Sequence, residues 1–250
     1  MGRSGVTPSA RAAGLTPGVS TLRDVARRTT SSLHNRGLLG SLDHALTLGA
    51  DVVFDMTWRV HTRGVVDLQG LDTGGANLDH AVEYHPTRVR EFWAVMSHLR
   101  IPTGGQGFVD FGCGKGRVLI MASEYGFEHV SGVEFAAELH DVAQNNVRRY
   151  LGLSKMRTRF NLVHGDAATY RIEPCQSVFY FYFPFKDTVM QAVMDNIRAS
   201  LRDYPRQAYL VYNYPKCREI VEGMSIFELV LNAKFWGNSW RAYVSRGSVS

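Results

Sequence analysis

The chain has 250 residues, of which 45% are hydrophobic and 20% charged, with a formal net charge of +5. That length supports one sizeable core and fits one domain with an appendage. Three cysteines (Cys113, Cys175, Cys217) without C-x-x-C spacing exclude a disulfide framework and a cysteine zinc site, and no apolar run reaches membrane-spanning length. The excess charge sits in residues 1–40, where Arg3, Arg11, Arg23, Arg27, Arg28 and Arg36 face only Asp24; the other 210 residues hold 22 bases and 22 acids. The bulk of the chain therefore offers no net-charge argument for nucleic-acid binding.

Residues 1–20, rich in Gly, Pro, Ser and Ala, read as a disordered basic tail. Residues 21–56 show helical spacing at Leu22, Val25 and Ala26, then at Leu38, Leu39, Leu42, Ala45 and Leu46, and again at Val52, Val53 and Phe54. Gly37, Gly40 and Gly49 interrupt the pattern, which predicts two short helices in an N-terminal arm. Packing of this arm on its own domain is the expectation, with an interfacial or subunit-pairing helix as the alternative. A transit-like leader is the other reading of the Arg- and Ser-rich opening. Residues 57–250 form the main domain. It opens on a loop-rich stretch to residue 80 with one short strand near 64–68. The segment Tyr84-His85-Pro86-Thr87 then leads into a helix ending at Leu99, with Thr87 placed to start it.

Phe108-Val109-Asp110-Phe111-Gly112-Cys113-Gly114-Lys115-Gly116-Arg117 reads as a buried strand, a glycine turn and the start of a helix. A dinucleotide fingerprint requires a glycine where Arg117 stands, and a P-loop requires Ser or Thr after Lys115, so the loop is neither. Glycines at 112, 114 and 116 let the backbone approach a ligand closely, and Cys113 between two of them serves by being small. A helix over 116–125 precedes a strand over 129–134 that ends in Glu134, 22 positions beyond Gly112; a carboxylate there accepts ribose hydroxyls. A helix over 136–150 precedes a third strand over 160–164 that runs into Gly165-Asp166-Ala167. Three acids on successive strand ends mark the edge at which open α/β sheets bind ligands.

The alternation continues with a strand over 177–182, a helix over 186–201, a strand over 207–212, a helix over 215–222 and two closing strands near 226–231 and 239–245. This order predicts a doubly wound parallel sheet. The run Val178-Phe179-Tyr180-Phe181 reads as a central strand buried on both faces, which leaves Tyr182, Phe183 and Pro184 at its tip to face a ligand.

The acid before G-x-G-x-G resembles motif I of the class I S-adenosylmethionine (SAM) methyltransferases. Residues 54–231 resemble a bacterial group of that class whose substrates are mostly unassigned. The matching elements are Phe54-Asp55 with Thr62 and Gly64, Gly75-Ala76-Asn77, Tyr84-x-Pro86-Thr87, the glycine loop, Gly132-Val133-Glu134-Phe135, Gly165-Asp166-Ala167 and Val211-Tyr212-x-x-Pro215. The resemblance implies a Rossmann-like seven-stranded sheet and SAM as cofactor. It implies that Tyr84, Thr87, Asp110, Gly112, Cys113, Gly114, Gly116, Glu134, Phe135, Asp166 and Ala167 hold that cofactor, with Asp166 at the adenine amino group. On the acceptor side it implies Tyr182, Phe183 and His85. Phe183 replaces the Asn that amine and nucleobase methylases carry after strand 4, and no acid nearer than Asp187 follows that strand. The expectation is therefore metal-independent methyl transfer to O or N of a small or medium-sized, partly apolar acceptor, in a cytoplasmic enzyme. Candidate bases are His80, His85 and His164, with aromatic neighbours in Phe185, Trp236 and Trp240. Alternatives are a protein or nucleic-acid N-methyltransferase, a nicotinamide oxidoreductase, and a catalytically silent SAM-binding module. Nucleic acid or an anionic membrane would be met through the Arg-rich arm.

Overall fold

In the computed structural model, residues 42–66, 84–182 and 187–245 are described. A compact unit spans Leu46–Ser250. Helix α1 covers 42–58. It is followed by α2 (Val89–Leu99), β1 (Gly107–Phe111), α3 (Arg117–Tyr125), β2 (His129–Glu134), α4 (Ala137–Leu151), β3 (Arg159–His164) and β4 (Gln176–Tyr182). Then come α5 (Asp187–Asp203), β5 (Tyr209–Asn213), α6 (Arg218–Glu222), β6 (Phe227–Phe235) and β7 (Asn238–Ser245). The seven strands lie in the order β3-β2-β1-β4-β5-β7-β6. β1 to β5 are parallel, and β7 runs antiparallel between β5 and β6.

Strand alternation sorts the core into two layers. Phe108, Val178, Tyr180, Val211 and Trp240 point to the face covered by α2, α3 and α4, whereas Val109, Phe111, Phe179, Phe181 and Tyr212 point to the face covered by α5 and α6. Both faces are buried, which is why β4, after its first two positions, runs Val-Phe-Tyr-Phe-Tyr without a charged residue. The last two strands meet at Trp236-Gly237, with φ of 48° and 92° between the paired Phe235 and Asn238. Two successive positive φ values make a tight hairpin whose twist matches its strands, so β7 must return beside β6. Trp240 is carried into the core by this return and is not an exposed acceptor-side ring; its indole packs 6.1 Å from Tyr180.

α1 runs through Gly49 without a break. Its buried side is not the expected aliphatic one: Thr47, Asp51, Phe54 and Asp55 are buried, while Leu46, Val53 and Met56 are exposed. The reason lies in α3, whose Arg117 is 1% exposed. A guanidinium there is stable only if acceptors surround it. Its Nη1 lies 3.2 Å from Asp51 and donates to the Thr87 carbonyl at 3.0 Å, Nη2 lies 3.6 Å from Asp55, and Nε donates to Thr62 Oγ1 at 2.7 Å. α1 thus turns its carboxylates inward to meet Arg117.

α2 begins at Val89 and not at Thr87. The Thr87 hydroxyl is bonded to Tyr180 Oη at 2.7 Å, and the free amide of Val89 donates instead to Asp51 at 3.0 Å. The short strand expected near 64–68 reduces, among the described residues, to one antiparallel bridge between Val66 and Tyr84. No helix among the described residues is long and apolar enough to cross a membrane.

Candidate functional site

The register places Asp110 beside Gly132 of β2 and Tyr180 of β4, and Glu134 beside His164 of β3. The carboxyl ends of β3, β2 and β1 therefore present Asp166, Glu134 and Asp110 in that spatial order. The chain leaves β1 through Gly112, Gly114 and Gly116, whose φ angles are 77°, 52° and 79°. Only glycine adopts such a run without strain. The amides of Gly112 and Cys113 both donate to the Val133 carbonyl, at 2.8 and 3.0 Å, folding the loop onto the end of β2. Cys113 fits because Gly132 opposite lacks a side chain; a β-carbon there would lie 2.8 Å from the Cys113 sulfur. Burial and the neighbouring carboxylates push the Cys113 thiol well up, so it stays protonated and inert.

Glu134 accepts the Gly114 amide at 2.8 Å through one oxygen and the Ala136 amide at 3.0 Å through the other. It braces the glycine loop while keeping lone pairs in reserve. Asp110 is buried and receives no hydrogen bond among the described residues. Burial raises both carboxyls above their usual range; the Glu134 charge adds to the rise on Asp110, while backbone hydrogen bonds partly offset it on Glu134. Neither forms a salt bridge among the described residues. Two buried acids without a cation form a site that lacks a positively charged partner.

Tyr84 lies across the loop: a β-carbon added to Gly114 would come within 2.1 Å of its ring. Its hydroxyl donates to the Thr62 carbonyl at 2.8 Å, and Lys115 Nζ stands 5.2 Å from the ring centre while donating to the Arg63 carbonyl. The segment before α2 is thereby fastened over the glycine loop. Phe135 packs with Tyr84, Ala136 and Leu139 in a small cluster beside it. Gly116 faces Ala143 of α4, so its role is close helix packing. Asp166 caps the turn Ala167–Thr169, accepting the Ala168 amide at 2.9 Å through one oxygen, and Ala167 is buried. Asp166 also borders a cleft of about 610 Å3 along the outer side of β3.

On the β4 side the residues separate. Tyr182 is half-buried at the strand tip and its phenol is pushed up by burial, so it stays protonated at neutral pH, a hydrogen-bond donor and not a base. His85 is exposed next to Tyr84. His164 Nε2 lies 3.0 Å from the Phe135 carbonyl, a structural bond. Trp236 is exposed on the β6–β7 turn, stacked under Arg90 at 4.5 Å. Phe183, Pro184, Phe185 and His80 lie outside the described residues.

One residue escaped the sequence reading. Asn213 ends β5 directly beside Tyr182 in register, is fully buried, and neither its amide nitrogen nor its oxygen has a hydrogen-bond partner. It comes near the Tyr180 hydroxyl without reaching bonding geometry. The signal was a polar residue closing the apolar strand Tyr209-Leu210-Val211-Tyr212 at its carboxyl end.

Residues 108–204 match the model of a methyltransferase domain. That stretch carries the glycine loop, both strand-end acids and Asp166, on a seven-stranded sheet with a single reversed strand. Over those residues the chain is similar to methyltransferase domains, on a Rossmann-like methyltransferase fold. No curated protein matches the sequence. Among solved structures, an Escherichia coli protein assigned to the methyltransferases is 13% identical with a TM-score of 0.50, over 66% of this chain and 89% of its own. A magnesium protoporphyrin IX methyltransferase from Synechocystis, with bound SAM, is 16% identical at a TM-score of 0.46, over 63% and 79% of the two chains. An RNA methyltransferase from Salinibacter ruber, complexed with S-adenosylhomocysteine, is 15% identical at a TM-score of 0.47, over 66% and 97%.

Proposed function

We propose that this methyltransferase holds SAM against the glycine loop and transfers its methyl group, without a metal, to O or N of a small or medium-sized, partly apolar acceptor. The observation that carries the cofactor assignment is the pair of buried carboxylates, Asp110 and Glu134, which form no salt bridge among the described residues. SAM bears an ammonium and a sulfonium, and its ribose offers two donors; the pair supplies the charge and the acceptors that such a ligand needs. Glu134 accepts the ribose hydroxyls, Asp110 faces the cationic methionine part, and the glycines at 112, 114 and 116 allow the backbone to approach. Asp166, with one oxygen occupied by its cap, offers the other to the adenine amino group, next to Ala167. Tyr84 and Thr87 close the site from the segment before α2.

SAM supplies an electrophilic methyl on a leaving sulfur, so the protein's task is alignment more than bond activation. Tyr182 and Asn213 lie side by side at the tips of β4 and β5, and they orient the acceptor. The two unpartnered amide atoms of Asn213 suit a group that both donates and accepts, such as a hydroxyl or an amide. Phe183 adds apolar surface. His85 is the base available to a hydroxyl acceptor, and a neutral amine needs none at the moment of transfer. The metal-free reading rests on the strand-4 end, after which no acid nearer than Asp187 follows in the sequence.

Replacing Glu134 by Ala tests the cofactor site. Loss of a charge-assisted contact worth about 1.5–3 kcal/mol weakens SAM binding about tenfold to a hundredfold in calorimetry. An unchanged affinity in a folded variant overturns the assignment.

A further inference from the structure

A second cavity, away from the strand-end carboxylates, lies where the end of α1 meets the last turn of α4. It is open, about 690 Å3 in volume, and is lined by Arg59, His61 and Arg63 from one segment and by Arg148 and Arg149 from the other. These basic residues are all exposed. Met56, Val60 and Leu153 give it an apolar floor. The only acid on its wall, Asp55, is buried and already engaged by the Thr62 amide, by Arg63 at 3.1 Å and by the guanidinium of Arg117. Arg59, Arg148 and Arg149 have no carboxylate partner among the described residues.

The basic groups are held, not draped. The His61 amide donates to Asn146 Oδ1 at 2.9 Å, and Asn146 Nδ2 returns bonds to the carbonyls of His61 and Lys115. Arg149 Nη1 donates to the Arg59 carbonyl at 3.3 Å, tying the two walls together. Arg59 itself adopts a left-handed backbone with φ 53°, a conformation uncommon for a residue with a side chain. Three guanidiniums without a carboxylate partner among the described residues, Arg59, Arg148 and Arg149, gathered in one cleft repel one another unless an anion lies between them. Planar guanidiniums with free donors match phosphate oxygens, and the adjoining apolar floor matches a base or sugar face.

We propose that this cleft is a second binding site, separate from the methyl-transfer site, that takes the phosphate groups of a nucleotide-class ligand. The shared chemistry is phosphate with an attached nucleoside, and the source is either a free nucleotide or a nucleic-acid strand. The overall charge balance of the domain concealed the site, because its bases converge only in the folded chain.

The test compares the full chain with its R148E/R149E variant, so that the basic N-terminal arm is the same in both. Binding of a fluorescent single-stranded oligonucleotide is followed by anisotropy across salt concentrations, and ATP and pyrophosphate are titrated by calorimetry. SAM affinity and the thermal melt report that the variant is folded. The expected result is that at least one probe binds the wild type and loses about tenfold or more in the variant. If the probe is the oligonucleotide, its log–log salt slope also falls by about 1.4, two phosphate contacts at roughly 0.7 each. Oligonucleotide binding that ATP does not displace identifies a strand, and ATP binding without oligonucleotide binding identifies a free nucleotide. Equal affinity of wild type and variant for every probe overturns the proposal. Should the double variant fail to fold, R59Q and R149Q each replace it under the same criteria.

Discussion

At the scale of single residues, the site is governed by groups left without partners. Asn213 keeps both amide atoms buried and unbonded at the end of β5. An unmet buried polar group costs about 1–3 kcal/mol, so replacing it by an apolar side chain of similar shape relieves a penalty. Asn213→Leu is therefore expected to raise the stability of the ligand-free protein by about 1 kcal/mol or more in denaturant titrations. The same variant loses turnover on the acceptor while SAM affinity holds. A variant less stable than wild type, or one with unchanged turnover, contradicts the role given to Asn213. The acids carry a second consequence. Asp110, Glu134 and Glu91 all have carboxyls raised by burial, so the folded protein binds more protons than the unfolded chain above the ordinary carboxylate range. Stability of the ligand-free protein then falls as pH rises above about 4.5. A cationic cofactor favours the ionised acids, so SAM binding releases protons and tightens as pH rises. Calorimetry in two buffers of different ionisation enthalpy reads this directly; equal heats in both refute it.

Among the elements, α1 and α3 are coupled through charge and not through aliphatic packing. Arg117 is paired with Asp51 and Asp55 of α1 and donates to Thr62 and to the carbonyl before α2, while its Nη2 makes an ion pair but no hydrogen bond. Removing one partner from a buried ion cluster leaves uncompensated charge, at about 3–5 kcal/mol. Arg117→Ala is expected to destabilise the fold by that amount in chemical denaturation, and adding Asp51→Asn is expected to recover part of the loss. An additive or worse double variant would show that the two side chains do not interact. The same cluster explains why the segment carrying Tyr84 and Thr87 sits over the glycine loop: Arg117 begins the helix that follows the loop and grips the Thr87 carbonyl.

For the whole molecule, the division of the sheet assigns the chemistry. On the proposed reading, Asp110, Glu134 and Asp166 at the ends of β1, β2 and β3 meet the cofactor, and Tyr182 and Asn213 at the ends of β4 and β5 meet the acceptor, so one edge of the sheet would bring the two substrates together. Nothing in that arrangement requires a Lewis acid. Turnover is expected to be the same with and without EDTA once SAM and acceptor are saturating. Loss on chelation that magnesium restores would defeat the metal-free mechanism.

Much of this was legible from the chain because it depends on local rules. The alternation of apolar strands and helices, the glycines at 112, 114 and 116, and the acids at strand ends all follow from backbone sterics and the period of side chains. The observed elements from β1 to β7 lie within a few residues of those read from the pattern. What the sequence could not determine depends on groups distant along the chain. The inward turn of α1 comes from Arg117, more than sixty residues from Asp51 and Asp55. Thr87 fails to start α2 because Tyr180, on β4, takes its hydroxyl. Asn213 is noteworthy only because the sheet leaves it buried and unpaired, and the arginines at 59, 63, 148 and 149 form a cleft only when α4 meets the end of α1. Periodicity reports which face of an element is buried when that face is apolar; when a buried charge recruits opposite charges, only the tertiary structure shows which side turns inward.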